Sequence, residues 1–134
     1  MPLMEWDNKL DIGVGEMNEE HQGLLKYMNS LYDAWESKSP VADQKILLDL
    51  LKDATIEHFR SEEAYMEKIG WESVDVHKYI HKSLLETFTK HYQNFLDQDQ
   101  LTMEFFEFLR LWLAAHIQGI DKKYGDFSAT KKTA

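Results

Sequence analysis

The sequence predicts an all-α protein, an up-down-up-down four-helix bundle with an irregular N-terminal arm. Only two prolines and six glycines occur among its 134 residues, so helix-breaking residues are scarce. Four segments carry apolar residues spaced three and four positions apart, which is the period of an amphipathic helix. Their connections are short, so consecutive helices should pack antiparallel in one domain, 1–134.

The expected helix boundaries follow from capping signals. Asparagine, serine and threonine favour the residue before a helix, proline favours its first position, and glycine often follows its end. These signals are Asn18, Ser39 followed by Pro40, Ser73 and Thr102 at the starts, and Gly70 at the end of the second helix. The predicted segments are an arm over 1–17, helices over 18–37, 40–69, 73–96 and 102–120, and a frayed tail over 125–134.

Composition excludes several classes of protein. The formal net charge of −9 disfavours binding to nucleic acid and to anionic membranes. The absence of cysteine excludes disulfides, thiolate nucleophiles and metal sites built on sulfur. No apolar run suits a signal peptide or a membrane span. We therefore expect a soluble, cytoplasmic protein with no nucleic-acid or membrane partner.

Polar residues interrupt the apolar stripes at one end of the predicted bundle. A buried polar group without a partner costs about 1–3 kcal/mol, so several of them together require a common partner. In an up-down-up-down bundle, helices one and three start at one end of the bundle. Helices two and four finish at that same end. The inward-facing residues at that end are His21, His58, Glu62, His77, His81 and His116.

Asp121 is the expected seventh member of this group. It follows His116 by five residues, which in a regular α-helix places it about 140° away from the histidine. Asp121 can join the group only if the helix loosens or ends there. Gly119, or a local π-type turn, would allow this.

The ligand types indicate a pair of metal ions. Five imidazoles and two carboxylates without sulfur suit iron or manganese, and zinc or copper also remain candidates. Seven side chains are too many for one ion, but two ions can share both carboxylates. If an oxo or hydroxo bridge completes the core, His77, His81 and His116 complete the coordination of one ion. His21 and His58 then leave one position open on the other ion, where a small molecule can bind.

The complete pattern resembles the hemerythrin family, specifically the single-domain bacteriohemerythrins. The resemblance rests on His21, HFRSE (58–62), HKYIH (77–81) and HIQGID (116–121), and spans about 10 to 125. It implies two non-haem iron ions with an oxo or hydroxo bridge, Glu62 and Asp121 as bridging ligands, and reversible O₂ binding. Phe59 and Trp112 match positions that wall the family's O₂ pocket. An apolar wall of Leu24, Phe59, Trp112 and Ile117 would keep water from the site.

Other polar residues have ordinary interpretations. His91 lies ten residues, or about 15 Å, beyond His81 along the helix axis, so it is expected to be a core histidine outside the site. Glu63 lies off the His58 spacing and is expected to be solvated. Gln118 is expected to face outward. Glu19, Glu20 and Lys52 are expected to be solvated surface charges.

The site favours carrying O₂ over activating it, because it is rich in histidine and lacks the Glu-x-x-His pairs of di-iron oxidases. We expect a non-enzymatic protein for O₂ transport, storage or delivery, with an O₂-consuming enzyme as a candidate recipient. NO and small anions are further candidate ligands of the open iron. The alternatives are a sensor of O₂, NO or redox state that acts through a partner, and a di-iron enzyme with peroxidase or NO-handling activity. A monomer is expected rather than an oligomer.

Overall fold

The computed structural model describes the backbone of residues 3–133 and the side chains of residues 3–130, and it confirms the all-α bundle. No strand occurs in this part of the chain, and no described helix is both long and apolar enough to cross a membrane. The elements are a 3₁₀ turn at Asn8–Leu10, α1 (Gly15–Glu36), α2 (Val41–Ile69), α3 (Val74–Gln98), α4 (Met103–His116), a π-helical segment (Ile117–Asp121) and α5 (Lys122–Thr133).

Three helix boundaries lie where the sequence predicts them. Thr102 precedes α4, and its side-chain oxygen accepts a hydrogen bond from the backbone nitrogen of Phe105 at 3.2 Å. Gly70 follows α2 in the left-handed conformation, with φ of 73°. Ser73 precedes α3, although its side chain makes no capping hydrogen bond. The sequence therefore locates these turns correctly.

Two predicted starts are wrong. Helix α1 begins at Gly15, so the irregular arm is shorter than the predicted 1–17. Asn18 therefore lies inside the helix. The Asn18 Oδ1 accepts a hydrogen bond from the backbone nitrogen of Ile12 at 3.1 Å, so this side chain fastens the arm instead of capping the helix. Pro40 is the residue before α2 and not its first helical residue. Met1 and Pro2 of the predicted arm lie outside the described residues.

The predicted frayed tail over 125–134 is also wrong as far as the chain is described, because α5 continues the fourth helix to Thr133. Tyr124 is fully buried and Ser128 is nearly so. The Tyr65 and Ser128 hydroxyls form a hydrogen bond of 2.5 Å, which ties α5 to α2. This anchoring explains why a polar sequence stays helical. Ala134 lies outside the described residues.

The apolar stripes form one core. The stripe residues Met28, Leu31, Leu51 and Leu109 are completely shielded from solvent. Full burial of such a side chain stabilises the fold by about 1.5–3 kcal/mol. The arm adds Leu10, Ile12 and Val14 to this core, so the arm covers the end of the bundle near the π-helical segment.

Gly125 is required where α5 meets the arm. A Cβ atom at this position would lie 2.1 Å from the backbone oxygen of Ile12. We expect Gly125→Ala to displace the arm and to destabilise the protein by about 1–3 kcal/mol, the usual cost of overpacking. Chemical denaturation would measure the change in unfolding free energy.

Gly23→Ala is the matched control for this prediction. Gly23 lies inside α1, and a Cβ there would meet nothing within 4 Å. Alanine is the better helix former by about 1 kcal/mol, so this variant should be at least as stable as the parent. Equal stability of the Gly125→Ala variant and the parent would contradict the close packing of arm and helix.

Candidate metal centre

The seven polar residues predicted from the sequence meet at one end of the bundle. Helix α1 supplies one of them, α2 and α3 supply two each, and the junction of α4 with the π-helical segment supplies the last two. Each is at most 5% exposed to solvent. They are His21, His58, Glu62, His77, His81, His116 and Asp121.

The π-helical segment brings Asp121 to this group. The segment covers Ile117–Asp121, directly after His116. Its wider turn compensates for the five-residue spacing, so Asp121 Oδ1 lies 2.9 Å from His116 Nε2. The expected local departure from α-helical geometry is therefore present. Gln118, in the same segment, is exposed as predicted.

The ligand atoms form two groups that share both carboxylates. In each group the candidate atoms all lie within 4.8 Å of one another. One group contains three histidines, His77, His81 and His116, and the other contains two histidines, His21 and His58. Glu62 and Asp121 belong to both groups. This is the division that two ions with bridging carboxylates require.

Glu62 presents one oxygen to each group. Its Oε1 lies 2.8 Å from His81 Nε2 and 3.3 Å from His77 Nε2. Its Oε2 lies 3.5 Å from His21 Nε2 and 3.4 Å from His58 Nε2. The two oxygens of one carboxylate thus point at different sets of imidazoles.

Asp121 is arranged in the same way. Its Oδ1 lies 2.9 Å from both His77 Nε2 and His116 Nε2. Its Oδ2 lies 3.1 Å from His21 Nε2. Both carboxylates therefore have the orientation of bridging ligands.

Many of these polar atoms make no hydrogen bond although they are buried and close together. Within the described chain, the buried atoms without a hydrogen bond include His58 Nε2, His81 Nε2, Glu62 Oε1 and both side-chain oxygens of Asp121. Each such atom would cost about 1–3 kcal/mol if it stayed unsatisfied. Cations among the nitrogen and oxygen atoms would satisfy all of them, so the residues suit a pair of metal ions.

The carboxylates favour the protonated form of His58 and His77 when no metal is bound. Burial lowers the pKa of His58, but the nearby carboxylates of Glu20 and Glu62 outweigh burial and raise it to about 10. Burial also lowers the pKa of His77, but Asp121 and Glu62 raise it to about 9. The same contacts hold the pKa of Glu62 well below its usual value, against the effect of burial.

Metal uptake should therefore release protons. A metal binds the neutral imidazole, so His58 and His77 must lose protons near neutral pH. We expect affinity for ferrous iron to rise with pH up to about pH 10, the pKa of His58. Anaerobic calorimetry in buffers of different ionisation enthalpy would count the protons. Affinity that is independent of pH would contradict protonation of these imidazoles.

Two further carboxylates hold the outer nitrogens of site histidines. His58 Nδ1 lies 2.7 Å from Glu20 Oε1, and His81 Nδ1 lies 2.9 Å from Glu63 Oε2. The sequence prediction that Glu20 and Glu63 are only solvated charges is wrong. Each of them directly adjoins a site residue in sequence, and metal-binding histidines usually donate their second nitrogen to a carboxylate or carbonyl.

Replacing Glu20 should weaken iron binding without removing a ligand. Glu20→Gln keeps the shape of the side chain but loses the charge that orients His58. Loss of such a partner typically costs 10–100-fold in metal affinity. Competition with a ferrous chelator would measure the loss. Glu19→Gln, at a neighbouring exposed position, is the matched control. Unchanged affinity of the Glu20 variant would exclude an orienting role.

Tyr124 contacts Glu62, and the sequence analysis did not predict this contact. Its hydroxyl donates a hydrogen bond of 2.7 Å to Glu62 Oε2, and the residue is fully buried. Burial and the Glu62 charge raise the pKa of this tyrosine, so it remains a donor. The predicted end of the fourth helix near residue 120 hid this contact, because Tyr124 reaches the site only if the helix continues.

The predicted apolar wall is buried beside the site. Phe59 stacks on His81 with ring centres 3.9 Å apart, and Trp112 lies 5.5 Å from Phe59 and 6.0 Å from His116. Leu24 and Ile117 are buried too. Their role as an O₂ pocket remains a prediction.

His91 lies outside this centre, as predicted. Its ring packs against Phe105 and Phe108, with ring centres 5.3 and 5.5 Å apart. It belongs to neither group of candidate ligand atoms. Since it is a histidine of the same helix as His77 and His81, it offers a natural control for substitutions in the centre.

Comparisons with known proteins agree with this geometry. Residues 12–127 match the family described as hemerythrin HHE cation binding domain. The bacteriohemerythrin of Methylococcus capsulatus (strain Bath) is 31% identical over 129 residues, which cover 93% of this chain and 96% of the relative. The bacteriohemerythrin of Stenotrophomonas maltophilia (strain R551-3) is 29% identical over 94% of this chain and 82% of the relative.

Two further comparisons give the same result. The myohemerythrin of Theromyzon tessulatum is 31% identical over 90% of this chain and 89% of the relative. A crystal structure of wild-type hemerythrin superimposes with a TM-score of 0.85, at 28% identity over 92% of this chain and 96% of that chain. The similarity therefore covers the whole bundle, in sequence and in fold.

Proposed function

Because the chain belongs to the hemerythrin family, whose domain binds a di-iron centre, we propose that it binds O₂ reversibly for transport, storage or delivery. The family is one of non-haem iron, O₂-binding proteins and not mainly of enzymes. The observation that supports this function most is the pair of carboxylates, each with one oxygen toward each group of histidines. The proposed ligands are His21, His58, Glu62, His77, His81, His116 and Asp121.

The unequal division of histidines favours binding of a small molecule. His77, His81 and His116 surround one position, whereas only His21 and His58 approach the other. The second position therefore has room for an external ligand. When bound there, a ferrous pair supplies the two electrons that O₂ takes up, and it recovers them on release.

The surrounding side chains favour release over further reaction. Phe59 and Trp112 place aromatic surface beside the imidazoles, and both are buried. An apolar wall keeps water and acids from a bound molecule, which limits side reactions. Tyr124 donates its proton in a hydrogen bond to Glu62 and is held there, so it orients a carboxylate. These contacts support carriage as the proposed role.

The experiment that tests this proposal is anaerobic loading with ferrous iron, followed by metal counting and optical spectra through cycles of O₂ addition and removal. We expect two irons per chain and an absorption band that appears with O₂ and disappears on its removal. His58→Ala should lose the band, and His91→Ala should keep it. Iron that oxidises once and never recovers would instead favour a redox sensor or an enzyme. One iron or none per chain would refute the di-iron assignment.

Location and assembly are separate matters. The cytoplasmic location, the monomeric state and an O₂-consuming enzyme as recipient all stay predictions from the sequence. Cell fractionation and sedimentation of the iron-loaded protein would test the first two.

A further inference from the structure

We propose that O₂ enters through a groove between α1 and α2, past Leu24, and that Gly23 keeps this groove wide enough for entry. This inference rests on the proposed O₂-binding function and adds a route to it. The groove has a volume of about 380 Å³ and reaches the outer side of the two-histidine group. Its lining includes Glu20, Gly23, Leu24, Ala54, His58 and Ser61.

The groove ends against the half of the centre that has room for a ligand. His58 belongs to its lining, and the His21 and His58 rings lie 4.6 Å apart. Leu24 lies one helical turn after His21 on the same face of α1. Leu24 is only 1% exposed. Leu24 and His58 thus line the groove and lie beside the two-histidine group.

Leu24 is the part of this lining that can move. The His58 ring is fixed because its Nδ1 lies 2.7 Å from Glu20 Oε1. Glu20 is fixed in turn, since its Oε2 accepts a hydrogen bond of 2.8 Å from Ser61. The Leu24 side chain is apolar, so no hydrogen bond fixes it, and side-chain rotations of this kind need little time. The inferred route therefore passes between Leu24 and His58, where Leu24 rotates aside.

Gly23 keeps the groove open. It lies within α1, where glycine weakens the helix by about 1 kcal/mol relative to alanine. A Cβ at this position would meet nothing within 4 Å, so a larger side chain would project into free space at the groove. Gly23 is not among the candidate ligands, and filling its space should leave the centre intact.

The three-histidine side of the centre has two openings, a groove of about 600 Å³ that includes His81 in its lining and a smaller pocket at His77. A pocket of about 110 Å³ reaches His77 and is lined by Trp71, Val76, Ile80, Ile120 and other residues. The pocket at His77 leads to the three-histidine group. An ion held there has fewer coordination positions left for an external ligand. This pocket is the competing route that the control variant blocks.

The kinetic test uses Gly23→Ala, Gly23→Val and Gly23→Phe in the iron-loaded protein. A narrower route raises the barrier for entry and exit alike but changes neither the free nor the bound state. We expect O₂ binding and release rates to fall together as the side chain grows, by about tenfold for phenylalanine, with an unchanged dissociation constant. Flash photolysis and stopped-flow spectroscopy would give both rates.

Val76→Phe is the matched control, because it places the same side chain at the smaller pocket. Its rates should equal those of the parent. If Val76→Phe slowed O₂ and Gly23→Phe did not, the route would lie on the three-histidine side and the inference would be overturned. Unchanged rates in the Gly23 series would overturn it as well. A change in only one of the two rate constants would also overturn it, because such a change alters the dissociation constant and therefore the stability of the bound state.

A second measurement separates this inference from the proposed function. Dissolved O₂ is paramagnetic and speeds relaxation of nearby methyl groups, so it can be located in the iron-free protein by NMR. We expect a stronger effect at the Leu24 and Ala54 methyls than at Ile80, and its loss in Gly23→Phe. This result would support the route even if the iron centre failed to bind O₂ reversibly. Equal effects at all three residues would overturn it.

Discussion

Replacing Glu62 with alanine is expected to abolish loading of a pair of irons. Glu62 is fully buried, and its two oxygens face different groups of histidines. Its loss removes one ligand from both positions at once and leaves only Asp121 to join them. We expect at most one iron per chain after gel filtration and no O₂-dependent absorption band. Elemental analysis and optical spectra would measure these changes.

The control variant is Glu57→Ala. Glu57 lies on the same helix, and its side chain is 74% exposed. This variant should bind two irons and show the parent spectrum. Circular dichroism should show the parent helix content for both variants, because neither substitution removes an apolar side chain from the core. Two irons in a folded Glu62→Ala protein would refute the bridging role of Glu62.

The sequence predicted the residues of the centre because helical periodicity is exact enough to place them. Side chains four positions apart share a face, so His58 with Glu62 and His77 with His81 had to point the same way. The alternating direction of the helices then brought all of them to one end. Even the irregular turn before Asp121 could be inferred, since a five-residue spacing does not fit a regular helix.

The supporting contacts were harder to predict because they depend on how the helices rotate against each other. Glu20 and Glu63 adjoin site residues in sequence but lie at the edge of the buried face, where a charge is usually solvated. Only the packing of α1 on α2 brings Glu20 to His58, and that of α2 on α3 brings Glu63 to His81. Periodicity within one helix does not report such cross-helix pairs.

The predicted end of the fourth helix was wrong for a different reason. The polar composition after residue 124 predicts fraying, and the local sequence offers little to oppose it. Two distant contacts oppose it instead. The Tyr124 hydroxyl reaches Glu62, and the Tyr65 hydroxyl bonds to Ser128. Tertiary contacts of this kind commonly override local helix propensity.

Removing iron is expected to lower the thermal stability of the protein on the order of 10 °C. Several buried nitrogen and oxygen atoms of the centre make no hydrogen bond, and one such atom can cost about 1–3 kcal/mol. Bound iron satisfies them in the folded state only, so its binding free energy adds to folding. For a chain of this size, each kcal/mol shifts the melting temperature by about 2–8 °C. Calorimetry of iron-loaded and chelator-treated protein would measure the difference.

The ligand set also predicts which ions restore stability. Imidazole nitrogens suit Fe²⁺ and Zn²⁺, whereas Mg²⁺ prefers oxygen ligands and retains its water. Adding Zn²⁺ to the iron-free protein should therefore raise its melting temperature, and adding Mg²⁺ should leave it unchanged. In Glu62→Ala, the stabilisation by Zn²⁺ should shrink because the second position lacks its bridge. Equal melting temperatures of the iron-loaded and iron-free parent would mean that the buried polar cluster is satisfied without metal, and the assignment of the centre would fail.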